Sequence, residues 1–288
     1  MESSVHDWLQ QCTLPNETEL QEHTLKTDQS IVIGDRCKID FGLQGKDVIV
    51  CELCTINGNI HADGDIRVDN WCVIHGDVVT QSDAYLGEGV RIHGRLIVRG
   101  DLDIGDNVQI EKGFEAKGWI SIRNPLPVIA YIMLYLVTML GLDKADEIDE
   151  FLNDLFDEEE DEEIEDDKDE KSIPLMIPPT SVINMEVFSV PKSMVIGTRC
   201  RLHGNIRAGA IAVMENTTIF GSLRADEAVS IREGTAIHGD VKSGKSVVIS
   251  QGVHVLGDVA CAHVTLHEDA RIDGMIKAPE GVRIERNV

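Results

Sequence analysis

Aromatic residues and positive charge are both scarce in this sequence, and its cysteines form no paired pattern. Phe, Trp and Tyr together make up 4% of the 288 residues, against 42% hydrophobic overall. Any core must therefore be filled by Val, Ile and Leu, which suits stacked strands better than the aromatic-rich interior of a mixed α/β enzyme. Lys and Arg number 26 against 51 Asp and Glu, a formal charge of −25. That balance excludes nucleic acid as a partner, because phosphate binding needs clustered basic side chains. Seven cysteines, an odd number unevenly spread, make no disulfide framework. The opening MESSVHDWLQQC has neither the basic region nor the apolar core of a secretory signal. The expectation is a cytoplasmic protein, with the sequons at Asn16 and Asn216 as chance matches. No nucleophile elbow, phosphate-binding glycine loop or paired-carboxylate motif stands out.

What is abundant is repetition, which should be sought before anything else. The unit is aliphatic, any residue, Gly, any residue, aliphatic. It begins at Ile56, Ile74 and Ile92, and again at Leu202, Ile219, Ile237, Val255 and Ile272. The leading residues stand 18 apart in the first set and 17 or 18 apart in the second, and Ile39 and Ile110 keep the spacing in degenerate form. Within each period the apolar residues alternate, as at Val68, Cys72 and Ile74, which signals strands with one buried face. Glycines such as Gly34, Gly87, Gly105 and Gly197 follow the short strands, where the chain turns. Three short strands per period, stacked turn on turn, make a β-helix. The spacing predicts an all-β chain with two such β-solenoids, residues 28–123 and 187–288, flanked by an arm at 1–27 and joined by an insertion at 124–186. The segment Ile31–Ile39 aligns with Met194–Leu202 with five identities, which points to an internal duplication.

The phrases HGNIRAG (203–209), IHGDV (74–78 and 237–241) and AYLGEGVRIHGRL (84–96) resemble the bactofilins, polymer-forming cytoskeletal proteins. The resemblance covers both repeat blocks, about two thirds of the chain. It implies a right-handed β-helix, a hand that an 18-residue coil does not itself specify. It further implies filaments or sheets formed through contacts between β-helix ends, without nucleotide. This chain departs from the usual plan of one β-helix with tails by having two and a long insertion.

The insertion is itself divided. Asn124 to Leu142 carries no charge, and 126–142 is just long enough to raise the question of a bilayer. The segment reads as a helix packed on a solenoid end or a partner copy, as a membrane-surface element, or as a span. Ile148, Phe151, Leu152, Leu155 and Phe156 follow as one face of an amphipathic helix. DEEEDEEIEDD (157–167) then holds ten acids in eleven residues, a solvated linker. In the arm, Val5, Trp8, Leu9 and Cys12 stand at helical spacing and suggest a short helix docked on a solenoid end.

Residues that might carry chemistry read as structure. Cys51 and Cys54 are half a zinc site without a second pair, and Cys54 falls in one column with Cys37, Cys72 and Cys200, equivalent to Val90, Val108, Thr235, Val253 and Ala270. That column faces inward, which makes these cysteines small core residues and leaves Cys51 at a turn. His75, His93, His203 and His238 follow the leading aliphatic residue and so point outward, in a position shared with Asn57, Glu111, Phe220, Leu256 and Asp273. His263 and His267 stand in strand and turn, where a spacing of four does not align two ligands. No residue is assigned a catalytic, cofactor-binding or metal-ligating role, no cofactor is expected, and no small-molecule substrate. Phe220, Leu256, Phe114 and Trp119 are candidate lateral contacts, unless the other block or the central helices cover them. The candidate ends are Ile31 and Ile33, Ile120 and Ile122, and Ile284 and Val288. The function expected is that of a non-catalytic scaffold whose partner is itself, placed in the cytoplasm and peripherally at the membrane through 126–142. The competing reading is a hexapeptide-repeat acyltransferase or a carbonic anhydrase-like enzyme on a β-helix.

Overall fold

The computed structural model describes residues 11–21, 23–122 and 173–286. They form 38 short strands, β1 to β38 in chain order, with no helix among the described residues. The strands stack into three sheets, one of 14 strands and two of 12, so that each turn of the solenoid, here a rung, gives one strand to each sheet. One sequence period fills one rung. Ile56, Ile74 and Ile92 stand in register on consecutive rungs, as do Ile237 and Val255, and all five are fully buried. An aliphatic residue recurring at this period therefore sees only copies of itself above and below, which is why Val, Ile and Leu suffice for the core.

The corner after most strands of the largest sheet is left-handed. Arg36, Leu53, Trp71 and Asn107 have φ of 57–59°, and Gly89, Gly234 and Gly252 sit at the same step. The next position along, turning back inward, is occupied by the small residues of the cysteine column.

The two repeat blocks are one continuous solenoid, joined through their amino-terminal rungs. Strand β1 (Cys12–Leu14) runs parallel to β23 (Ser193–Ile196), the start of the second half. Strand β20 (Leu175–Ile177) runs parallel to β4 (Ile31–Ile33), the start of the first. Between them β1 and β20 pair antiparallel, Thr13 opposite Met176. Two hairpins complete the joint: β2 (Glu19–Leu20) with β3 (Thr24–Lys26), and β21 (Val182–Ile183) with β22 (Val187–Ser189). Each segment thus closes one half and then crosses to the other.

The joint has an approximate two-fold relation in which residue n matches n + 163. Thr18 Oγ1 donates to the Pro15 carbonyl at 2.8 Å, and Ser181 Oγ to the Pro178 carbonyl at 2.7 Å. The Cys37 thiol donates to the Pro178 carbonyl and the Cys200 thiol to the Pro15 carbonyl, both at 3.2 Å. Glu17 and Thr180 share a φ near 60°. The duplication therefore includes the arm and the end of the insertion.

This corrects three expectations. Residues 12–14, 19–20 and 24–26 are strands inside the solenoid, and so are 175–177 and 182–183 within the span assigned to the insertion. Ile31 and Ile33 are no end: they lie in mid-stack, covered by β20. The joint escaped the repeat pattern because there the chain reverses in a hairpin instead of stepping to the next sheet, so the central Gly is absent from Leu20-Gln-Glu-His-Thr24 and Ile183-Asn-Met-Glu-Val187. The expected helices at 124–142 and 148–156, the acidic run at 157–167, the arm's Val5, Trp8 and Leu9, and Val288 lie outside the described residues.

Candidate functional site

The cysteine column is a ladder of small donors. The Cys54 thiol donates to the Gly34 carbonyl at 3.0 Å and the Cys72 thiol to the Cys51 carbonyl at 3.0 Å. Hydroxyls do the same in the second half, Thr217 to Gly197 at 2.8 Å and Thr235 to Met214 at 3.0 Å. A turn carbonyl pointing into an apolar core needs a donor, and Cys, Thr and Ser each supply one in little volume. Burial pushes the thiols of Cys12 and Cys200 up from their ordinary value. Cys51, half-buried at its turn, is pushed up to about 11 by desolvation and then by the charge of Asp35. Because six of the seven cysteines are buried and only Cys51 is partly open, a thiol reagent at neutral pH should modify at most one cysteine of the folded protein. The rate should rise about tenfold per pH unit toward pH 11, and denaturant should release all seven. Rapid modification of three or more native thiols would show that the column is not closed.

The histidines stand on the outside, stacked rung over rung rather than converging. His75 and His93 stack at 4.7 Å, and His93 Nδ1 lies 2.7 Å from Glu111. His203, Phe220 and His238 form a second stack at 4.5 and 4.6 Å, with the Arg201 guanidinium 5.3 Å from the Phe220 ring. Phe220 is thus occupied by its own neighbours, not by the other block. His263 and His267 lie on one strand, β35 (His263–His267), and the His267 ring accepts the Asp269 amide at 3.1 Å. Among the described residues no group of three or more His, Cys, Asp or Glu is placed to hold a metal ion. An open cleft of about 350 Å³ lies at the joint between Gln21, His23, Phe41, Met185, His203 and Gly204.

The feature that remains is the pair of open edges. Because the amino-terminal rungs meet in mid-stack, both edges are carboxy-terminal rungs. One is made of β17 (Gln109–Ile110), β18 (Phe114–Ala116) and β19 (Ile120–Ile122). The other is made of β36 (Arg271–Ile272), β37 (Ile276–Lys277) and β38 (Gly281–Glu285). Side chains there continue the core columns but have no further rung above them among the described residues. Phe114 follows the buried Leu96, and Val282 follows the buried Val264, yet both are exposed. Ile120, Ile122, Ile276 and Ile284 are likewise exposed, Ile122 at 61% and Ile284 at 58%.

The corners at these edges change character too. Along the first half, carboxylates of Asp47, Asp65, Asp83 and Asp101 each accept the amide of the next rung at 2.7–3.1 Å, and the last such amide belongs to Trp119. In the second half Asp240 accepts from Asp258 at 3.0 Å and Asp258 from Met275 at 2.8 Å. Both ladders end on a large apolar residue, Trp119 exposed at 85% and Met275 at 60%. Trp119 and Phe114 therefore belong to an end, not to a lateral face. The sequence held this signal in the aspartates at 47, 65, 83 and 101, a column at the same period as the aliphatic repeat.

Residues 194–288 match a family model described as Bactofilin: Polymer-forming cytoskeletal. The matched span begins at Met194 in β23 and takes in the rest of the second half, whose rungs the first half repeats. No curated protein and no solved structure matches the chain.

Proposed function

We propose, from the bactofilin domain formed by residues 194–288, that this chain is a self-assembling cytoskeletal scaffold without catalytic activity, whose copies meet at the solenoid's open edges. The observation that carries the reading is the state of those edges. An unpaired row of backbone N–H and C=O groups over an open apolar column is a template for pairing, and neither described edge is blunted by Pro or by an inward charge within β19 or β38. A terminal rung of a solenoid needs a polar cap to stay apart from its own kind. Here the terminal positions carry Trp119, Ile122, Met275 and Ile284 instead.

Since both edges are carboxy-terminal, strands of copies stacked end to end meet antiparallel, as β1 and β20 do in mid-stack. We place the assembly in the cytoplasm, with the uncharged run 126–142 as its contact with a membrane surface. The outward histidines support no competing enzymatic reading, because they stack along the wall and share their column with Phe220 and Leu256.

Sedimentation velocity and negative-stain microscopy across a hundredfold concentration range test the reading. The expected result is mass that grows with concentration, abolished in the double variant Ile122→Asp/Ile284→Asp. Monomer mass throughout would sink it. Flotation with liposomes, lost when residues 126–142 are deleted, tests the membrane contact separately.

A further inference from the structure

We propose that one face of the solenoid binds a phosphoryl group through Arg207, Arg224 and Lys242, on the outward side of β25 (Asn205–Ala208), β28 (Leu223–Ala225) and β31 (Val241–Ser243). The site goes beyond the scaffold reading and stands whether or not copies meet at their edges. The three strands are neighbours in one 12-stranded sheet, and Arg207, Arg224 and Lys242 fall in register on successive rungs. All three are exposed, and their backbones stand about 4.8 Å apart. Like charges directly opposite one another across strands destabilise a sheet. The fold does little to offset this. Lys242 Nζ lies 3.0 Å from the Asp240 carboxylate, but among the described residues neither guanidinium forms an ion pair. Nor does the solenoid need charge at these positions. In the first half, 163 residues earlier, the same column reads Gln44, His61 and Val79, equally in register. In a chain with 26 basic residues against 51 acidic ones, a stack of three cations, two of them without a carboxylate, points to an anion from outside.

An open cleft of about 400 Å³ runs along the column, lined also by Glu186, Asn205 and Ser222. Asn205 is committed to the wall: its Nδ2 donates to the Glu186 carbonyl at 3.0 Å and its Oδ1 accepts the Ser222 amide at 3.0 Å. Ser222 Oγ accepts the Asp240 amide at 3.1 Å, which leaves its hydroxyl proton to donate to a ligand. The cleft thus offers two guanidinium forks, an ammonium and a hydroxyl to one anion. Guanidinium forks match the oxygens of carboxylates and phosphates in pairs. A carboxylate brings one charge and two oxygens, too few for donors spread over three rungs. A phosphoryl or diphosphoryl group carries more charge, on oxygens that point several ways. A soluble phosphate and a lipid headgroup share that chemistry.

Isothermal titration of the full-length protein with pyrophosphate, and flotation on phosphatidylcholine vesicles with and without phosphatidylglycerol, test the site and separate the two sources. Pyrophosphate should bind once per chain, and about tenfold more weakly in Arg207→Gln or Arg224→Gln, since each removes a charged hydrogen bond. Arg91→Gln, which removes a lone cation between Val73 and Gln109 on the same sheet, should change nothing. Without ligand, Arg224→Gln should melt no lower than the parent, because it relieves the stacked charge. A clear drop would mean that the fold itself uses this arginine, and would count against the site. A preference for phosphatidylglycerol that the double variant Arg207→Gln/Arg224→Gln loses, with no pyrophosphate binding, assigns the site to a lipid headgroup. Pyrophosphate binding that the double variant loses, with no lipid preference, assigns it to a soluble phosphate. The site is overturned if both responses are absent, or if the double variant leaves them intact.

Discussion

Valine in place of Gly76 or Gly239 should unfold the rungs around it and lower the melting temperature by ten degrees or so. Each is the central Gly of a repeat unit. A Cβ on Gly76 would stand 2.4 Å from the carbonyl oxygen of Gly58 on the rung before, and one on Gly239 would stand 2.6 Å from both the carbonyl carbon and oxygen of Gly221. The obstacle is backbone held by the ladder on both sides, so it cannot give way as a flexible side chain would. Overpacking a core commonly costs about 1–3 kcal/mol, and a clash with fixed backbone belongs at or above the top of that range. At about 2–4 °C per kcal/mol for a chain of this size, the loss is easily read in a thermal melt. The control is Gly209→Ala, whose Cβ meets its nearest atom, the Lys192 carbonyl oxygen, only at 3.0 Å; it should change the melt far less. Equal melts for Gly76→Val and the parent would mean that successive rungs are not packed this closely at the repeat glycine.

Removing residues 1–21 should strip the second half of its first rung. Cys12, Leu14 and Leu20 are buried there against Met194, Ile196 and Leu202. Burying each Leu stabilises by about 1.5–3 kcal/mol, and the backbone groups of β23 lose their partners as well. Together these are a large part of the about 5–15 kcal/mol that holds a typical domain folded. Hydrogen exchange should show the loss first in 193–213, and a single substitution, Leu14→Asp, should reproduce it. Its counterpart Ile177→Asp should expose 31–50 instead, because β20 covers β4. Truncation that leaves both melt and exchange unchanged would remove these strands from the solenoid.

The histidine and cysteine columns show how far residue pattern alone reaches. Ile74 and Ile92 are buried and His75 and His93 face out, as alternation at period two requires of any strand. Cys37, Cys54 and Cys72 are buried, as their shared column demanded. Their role as donors to turn carbonyls could not be read from spacing, since it depends on which carbonyl the left-handed corner turns inward. Nor could Phe114 be placed, because Leu96 and Phe114 occupy equivalent sequence positions and differ only in whether another rung follows.

The period of eighteen, the aliphatic columns and the kinship of the two blocks belong to the amino-acid order alone, because each follows from contacts between residues one turn apart. That the blocks share a single stack, that Ile31 lies at its middle, and that both edges are carboxy-terminal were decided only in three dimensions. Those facts depend on β1 and β20, whose partners lie more than 140 residues away in the chain, and a repeat that looks only one rung ahead holds no information about a strand arriving from that far.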